Sequence, residues 1–264
     1  GQFSADELAY QAIGWAPVVV LTTTGVGLLL GTLVITANAL GRDEHQIIGI
    51  TWRRGMATAG LIGLCAALAC QFGADFLAFT GQNEELAREG GAVIGVLGLS
   101  LPATFIYVVT SFTMEGLKRP VPAMWIMLVA NILNVALNWV LVYGNLGFPP
   151  MGATGASWAT VILRCLQAMA LIAVLFTMRD AREYGFYGTG IGLGRWADWA
   201  KQRSIGYASA ISMMAESVSF ATLAIMAGWL GKAPLAAYNI AHNVLATMFM
   251  VALGLGSATA VRVG

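Results

Sequence analysis

Charge is scarce in this 264-residue chain. Its 14 Lys and Arg and 13 Asp and Glu amount to 10% of residues, against about 25% in an ordinary soluble domain. So few charges cannot coat a water-facing globule of this size, which excludes a soluble enzyme. A formal net charge of +1 leaves no basic field for nucleic acid, whose binding rests on clustered Lys and Arg. Only three cysteines occur, Cys65, Cys70 and Cys165, all within apolar runs and without a C-x-x-C pair. They read as small buried hydrophobes rather than bridges or ligands. No H-E-x-x-H, paired Asp-rich motif or Ser/His pair at matching depth is present, so no catalytic residue, structural metal or cofactor is expected. What the chain does contain is apolar: 58% hydrophobic residues and a mean hydropathy of +0.74. This is the composition of a polytopic membrane protein.

A membrane-crossing helix needs about 20 mostly apolar residues, and seven runs qualify: 10–40, 54–79, 89–113, 121–143, 153–178, 204–228 and 235–262. Unpaired backbone is too costly in lipid for open sheets, so the expected class is an all-α helical bundle. Eleven basic residues, from Arg42, Arg53 and Arg54 through Lys118, Arg119 and Lys201 to Arg262, fall on one side of these spans. Arg88 and Lys232 fall on the other. The basic side is cytoplasmic by the positive-inside rule, and the expected location is the cell (inner) membrane. The chain starts without Met, basic n-region or cleavage site, and a further helix is expected ahead of it. Residues 179–203, rich in charge and Gly, read as a flexible cytoplasmic linker between an amino-terminal lobe (1–178) and the start of a second lobe (204–264). The alternating Gly188, Gly190, Gly192 and Gly194 lack the strand and helix that a nucleotide loop requires.

A repeat supports the two-lobe reading. LAYQAIG with Gly25–Gly27 near the start parallels LAAYNIA with Gly254–Gly256 near the end, Tyr10 matching Tyr238 at an offset of 228. Transporters are often built from two such halves with the site between them. A complete protein of about 450 residues is therefore expected, on the two-halves pattern.

Polar groups at bilayer depth mark a pathway or an interhelical contact. Asn131, Asn134 and Asn138 share one helix face, as do Ser157, Thr160, Arg164 and Gln167, by three- and four-residue spacing. At matching depth on neighbouring helices these form one polar wall, lining a cavity or gluing the helices. Glu216 is the acidic residue nearest the middle of a span. It is read either as a coupling or cation site, with Na+ possible there, or as half of a static ion pair with Arg164. Asn239 and His242 are weaker cavity candidates. Thr22, Thr23, Thr24, Thr32 and Thr36 line a lumen or bond to their own helix. Gly27/Gly31 and Gly91/Gly95 read as close-packing pairs, and Pro102 as a kink.

The stretch EGLKRPVPAMWIMLVANILNVALNWVLVYGNLGFPPMGATGASWATVI resembles the multidrug and toxic compound extrusion (MATE) family. The resemblance lies in EG-x-x-x-P, then an N-x-x-x-N/D-x-x-x-VYG helix, a short outer loop and a G-x-x-G-x-x-x-AT helix start. GLGSATAVRVG is similar to the end of that family's eighth helix, so the chain resembles helices two to eight of twelve. The resemblance implies a two-lobed antiporter, working as a monomer in the lipid bilayer. It would export small organic, often cationic, compounds in exchange for H+ or Na+. It also implies that Asn134 and Asn138 match the fifth-helix amide and amide-or-acid positions, Thr160 the sixth-helix hydroxyl near the cation site, and Glu216 the seventh-helix acid. The family's seventh-helix opening G-x-P-x reads Gly206–Tyr207–Ala208–Ser209 here, without the Pro. A lipid-linked glycan flippase is the alternative in the same superfamily. It should line its cavity with several cations, where the spans supply only Arg164. An intramembrane enzyme and a channel rank below both.

Overall fold

The computed structural model describes residues 5–81, 83–145, 147, 149–188, 196–229, 241, 244–249, 251–252, 254–256 and 259. Among these the chain is helical, without a strand. Helices α1 (Ala5–Leu29) and α2 (Gly31–Gly41) make one apolar stretch broken at Leu30, and α5 (Glu84–Gly98) and α6 (Leu101–Gly116) make another. Pro102 stands in the first turn of α6, where its missing N–H costs nothing. The kink expected of it is thus a boundary between two helices. Helices α7 (Val121–Leu141) and α8 (Gly152–Thr177) are single spans.

The second expected span differs from its sequence reading. α3 runs His45–Cys70, nine residues earlier than the apolar run at 54–79, and then bends by 57° into α4 (Gly73–Phe79). The early start has a packing cause: Ile48, Gly49, Thr51 and Trp52 are buried at the inner end of α3. Among the described residues four helical stretches are long and apolar enough to cross a membrane, five if the bent α3–α4 pair is one span. The sixth expectation, 204–228, corresponds to α9 (Ala200–Trp229), one helix of 30 residues that enters through a 3-10 turn at Trp196–Trp199. Most of the seventh, with the LAAYNIA half of the repeat apart from Ala241, lies outside the described residues.

Lipid gives helices no hydrophobic reason to associate, so close approach through small residues replaces it. A Cβ built on Gly63 of α3 would lie 2.6 Å from Pro102 Cα of α6, and one on Gly91 would lie 2.5 Å from Ala74 Cα of α4. Gly55 faces Thr32 and Val109. Around these contacts Val93, Leu97, Leu101, Phe105, Val109, Leu171 and Leu175 are fully buried. Span hydroxyls turn back on their own helices: Thr104 donates to the Ser100 carbonyl at 2.8 Å, Thr110 to Ile106 at 3.0 Å and Thr113 to Val109 at 2.9 Å.

The family-like motifs act as helix stops and contacts. Lys118 of EGLKRP takes a left-handed conformation (φ 61°) as Arg119 N–H returns to the Met114 carbonyl. Gly144 of VYG (φ 74°) stops α7 in the same way, with Asn145 N–H on the Val140 carbonyl at 3.1 Å. Gly155 opens α8 against the end of α7: a Cβ there would lie 2.7 Å from the Leu141 carbonyl oxygen.

The first ten residues of the expected flexible linker are fastened instead. Ala181, Tyr184 and Phe186 are buried. Trp52 meets the rings of Phe176 and Phe186 edge-on at 5.6 and 5.7 Å. Polar ties add to this: His45 Nδ1 to Glu183 Oε1 at 2.7 Å, Arg119 to Asp180 at 2.6 Å, and Arg53 to the Gly185 carbonyl. The sequence reading credited the charges and glycines to solvent, whereas alternating Ala181, Tyr184 and Phe186 supply an anchoring face. Gly190, Gly192 and Gly194 lie outside the described residues.

Two glycines on one helix separate packing from propensity. Gly63→Val is expected to destabilise the protein by about 1–3 kcal/mol through overpacking. Gly60, with no neighbour within 4 Å of a built Cβ, should tolerate Val within about 0.5 kcal/mol. Thermal unfolding of the two purified variants in one detergent checks the contrast.

Candidate functional site

Three hollows run in series through the bundle. The first, about 280 Å³, lies among α1, α7 and α8 and is lined by Gln11, Trp15, Asn131, Asn134, Asn138, Thr160, Arg164 and Gln167, with Met127, Ala130, Ala156 and Leu163 between them. The polar wall expected from two helix faces is therefore one surface. Trp15, Thr160 and Arg164 also border a second hollow of about 90 Å³, which reaches Thr22 and Thr23 along α1. Those two threonines border the third, about 450 Å³, lined by Val26, Met213, Glu216, Ser217, Phe220, Leu245, Ala246 and Phe249.

Within the first hollow the amides and hydroxyls are partly committed. Asn138 Nδ2 donates to both the backbone and the side-chain oxygen of Asn134 at 2.9 Å. Thr160 donates to the Ala156 carbonyl at 3.0 Å. Arg164 Nη1 donates to Gln167 Oε1 at 3.3 Å. Asn134 presents its Oδ1 as an acceptor, and Thr160 keeps acceptor capacity on its oxygen.

Glu216 sits differently. Its carboxyl borders a mainly apolar hollow, with Thr22, Thr23 and Ser217 as the polar company. Thr23 Oγ1 and Ser217 Oγ lie 3.4 Å apart across the α1–α9 contact. The static pair with Arg164 is overturned: Arg164 engages Gln167 and lines the first two hollows, and no ion pair to Glu216 forms among the described residues. An acidic oxygen facing apolar walls attracts a cation with a lipophilic body, or a proton or Na+ alone.

One candidate is corrected. Ser157 belongs to the polar stripe by spacing, yet it is 1% exposed and donates to the Ala153 carbonyl at 3.1 Å, so it lines no hollow. Its short side chain is satisfied on its own helix. Asn239 and His242 lie outside the described residues. The threonines divide as well. Thr22, Thr23 and Thr24 donate to carbonyls one turn back, and Thr22 and Thr23 still border the hollows. Thr32 and Thr36 are buried. Sequence reasoning missed Gln11 and Trp15. Their signal was the spacing Gln11, Trp15, Thr22, one helix face carrying an amide, an indole and a hydroxyl.

These features define a multi-pass helical membrane protein with a lined interior. The MatE family pattern matches residues 1–140 and 208–264, and the chain belongs to that family. It is 42% identical over 265 residues to the "Probable multidrug resistance protein NorM" of Caulobacter vibrioides, covering 100% of this chain and 56% of that protein. The chain thus spans about half the length of the curated relative it matches. Among solved structures it is similar to the outward-facing conformation of a multidrug resistance MATE family transporter of the MOP superfamily. There the TM-score is 0.84 at 19% identity, over 98% of this chain and 57% of that one. The inward-facing conformation of a transporter described in the same words gives a TM-score of 0.76 at 20% identity, over 97% and 57%.

In a background with Cys65, Cys70 and Cys165 replaced, Asn134→Cys and Thr160→Cys are expected to react with a water-soluble maleimide and Ser157→Cys to resist it. Equal labelling of all three, read by mass shift, contradicts a water-filled wall that excludes Ser157.

Proposed function

We propose that the whole protein is a secondary antiporter of the cell membrane, exporting small lipophilic organic compounds, often cations, in exchange for H+ or Na+. The carrying observation is Glu216, a carboxyl at span mid-depth that borders an apolar hollow of about 450 Å³ and pairs with no cation among the described residues. Inserting a charge at that depth costs on the order of 3 kcal/mol. The cost is offset whenever the carboxyl holds a proton, a sodium ion or the positive end of a substrate. Ion and substrate then compete for one group, and competition is what couples their opposite movements.

Asn134, Asn138 and Thr160 offer a second, uncharged oxygen station on the amino-terminal lobe. Having Asn rather than Asp at 138 leaves it neutral, so Glu216 carries the charge-dependent part of the exchange. The greater likeness to an outward-facing relative (TM-score 0.84 against 0.76) supports reading the hollows as open to the outer side in this conformation. The flippase alternative is disfavoured, because among the described residues Arg164 is the sole cation lining the three hollows. We take the protein to act as a monomeric carrier without cofactor or catalytic chemistry.

In proteoliposomes of the complete protein, Glu216→Gln is expected to abolish ion-driven dye efflux while leaving the melting temperature near that of the parent. Imposing Na+ and pH gradients separately identifies the ion. Undiminished efflux by the variant refutes the coupling role.

A further inference from the structure

Among the described residues, α9 packs on α1 and α2 at its inner end. α1 runs inward and α9 outward, and α9 meets Gly31 at the start of α2 with Gln202, Leu28 of α1 with Gly206, and Gly27 of α1 with Ala210. A Cβ on Gly27 would lie 2.7 Å from Ala210 Cα, and one on Gly206 would strike the Leu28 carbonyl. Backbones this close leave no room for water or solute. Gln202 reinforces the seam: its Nε2 donates to Thr32 Oγ1 at 3.1 Å and to the Thr51 carbonyl at 3.3 Å, tying α9 to α2 and α3 at once. Next to it Arg54 donates to the Asp198 carbonyl at 3.1 Å and stands 5.6 Å above the Trp199 ring. Further towards the outer side α1 and α9 meet at Thr23 and Ser217, whose hydroxyls lie 3.4 Å apart. Beyond it Trp15, Val19 and Val20 of α1 are 38%, 41% and 37% exposed.

We propose that Gln202 is the latch that holds this inner seam shut. The inference rests on the antiport reading and adds the element that must part for the hollows to face inward. The latch is only half made. Gln202 Oε1 is buried without a hydrogen-bond partner, so the closed seam carries an unsatisfied acceptor that gains a partner when water enters. Glycine packing supplies contact area without interlocking side chains, and it separates without rotamer changes. The seam is thereby tight when shut and inexpensive to open. Gln202 acts as a positioning residue: it touches no guest, and it sets the balance between the two faces.

The test uses the full-length protein, cysteine-free except for Thr22→Cys as a reporter in the hollows. Right-side-out and inside-out vesicles are treated with a membrane-impermeant maleimide. The parent is expected to label chiefly from outside. Gln202→Ala and Thr32→Val should each raise the inside-to-outside labelling ratio by about fivefold or more, the lower end of effects on a two-state balance. The double variant should add little to Gln202→Ala. Gly206→Leu wedges the seam directly and should shift the ratio furthest; should it fail to fold, the first two variants carry the test. Unchanged ratios in Gln202→Ala and Thr32→Val overturn the latch. Efflux by the parent is measured in parallel, so a protein that exports while its sidedness is unmoved sinks this inference and spares the antiport reading.

Discussion

Everything in this structure follows from the need of a polar group at bilayer depth to find a partner without water. Short hydroxyls meet it on their own helix: Thr22, Thr104, Thr110, Thr113 and Ser157 all donate to a carbonyl one turn back. Longer or charged groups have more capacity than their own helix can satisfy. Asn134, Asn138, Arg164 and Gln167 therefore converge on one hollow and share bonds there. Glu216 is left beside its own. The division between structural and lining residues is thus a division by side-chain reach, and it explains why serine and threonine positions alone are poor guides to a membrane cavity.

The same rule explains how much was legible. The first five span positions and the polar wall were readable because apolar runs of about 20 residues and polar residues three and four apart leave clear traces. The breaks were not. Leu30, the bend between Cys70 and Gly73, and the α5–α6 boundary lie inside continuous apolar sequence, where composition carries no information about direction. Ser157 was misassigned because spacing gives a face and says nothing of which neighbour covers it. The segment after α8 was misread for the opposite reason: its charges drew attention away from Ala181, Tyr184 and Phe186, which anchor it. On α9, the face carrying Gln202, Gly206, Ala210, Met213 and Ser217 repeats at four-, four-, three- and four-residue steps. Without a partner in view, that stripe of mostly small residues is indistinguishable from ordinary helix composition.

The missing proline at position 208 has a mechanical consequence. α9 continues from Ala200 to Trp229 as one helix, with none of the local causes that bend helices sharply at a proline. Gln202 and Glu216 are fourteen residues apart on it, about 21 Å at 1.5 Å per residue, and within about 40° of the same face at 100° per residue. A stiff rod therefore has the inner seam at one end and the carboxyl at mid-length, with α1 alongside both. On the proposed antiport, a guest that alters the setting of Glu216 beside Thr22 and Thr23 would shift the rod against α1. The glycine seam, closed by backbone contact without interlocking side chains, is where that shift would be felt. Where a proline would let the two halves of the helix move separately, Ala208 keeps them one rod, so on the proposed antiport occupancy at the carboxyl and closure at the inner end would be a single coordinate.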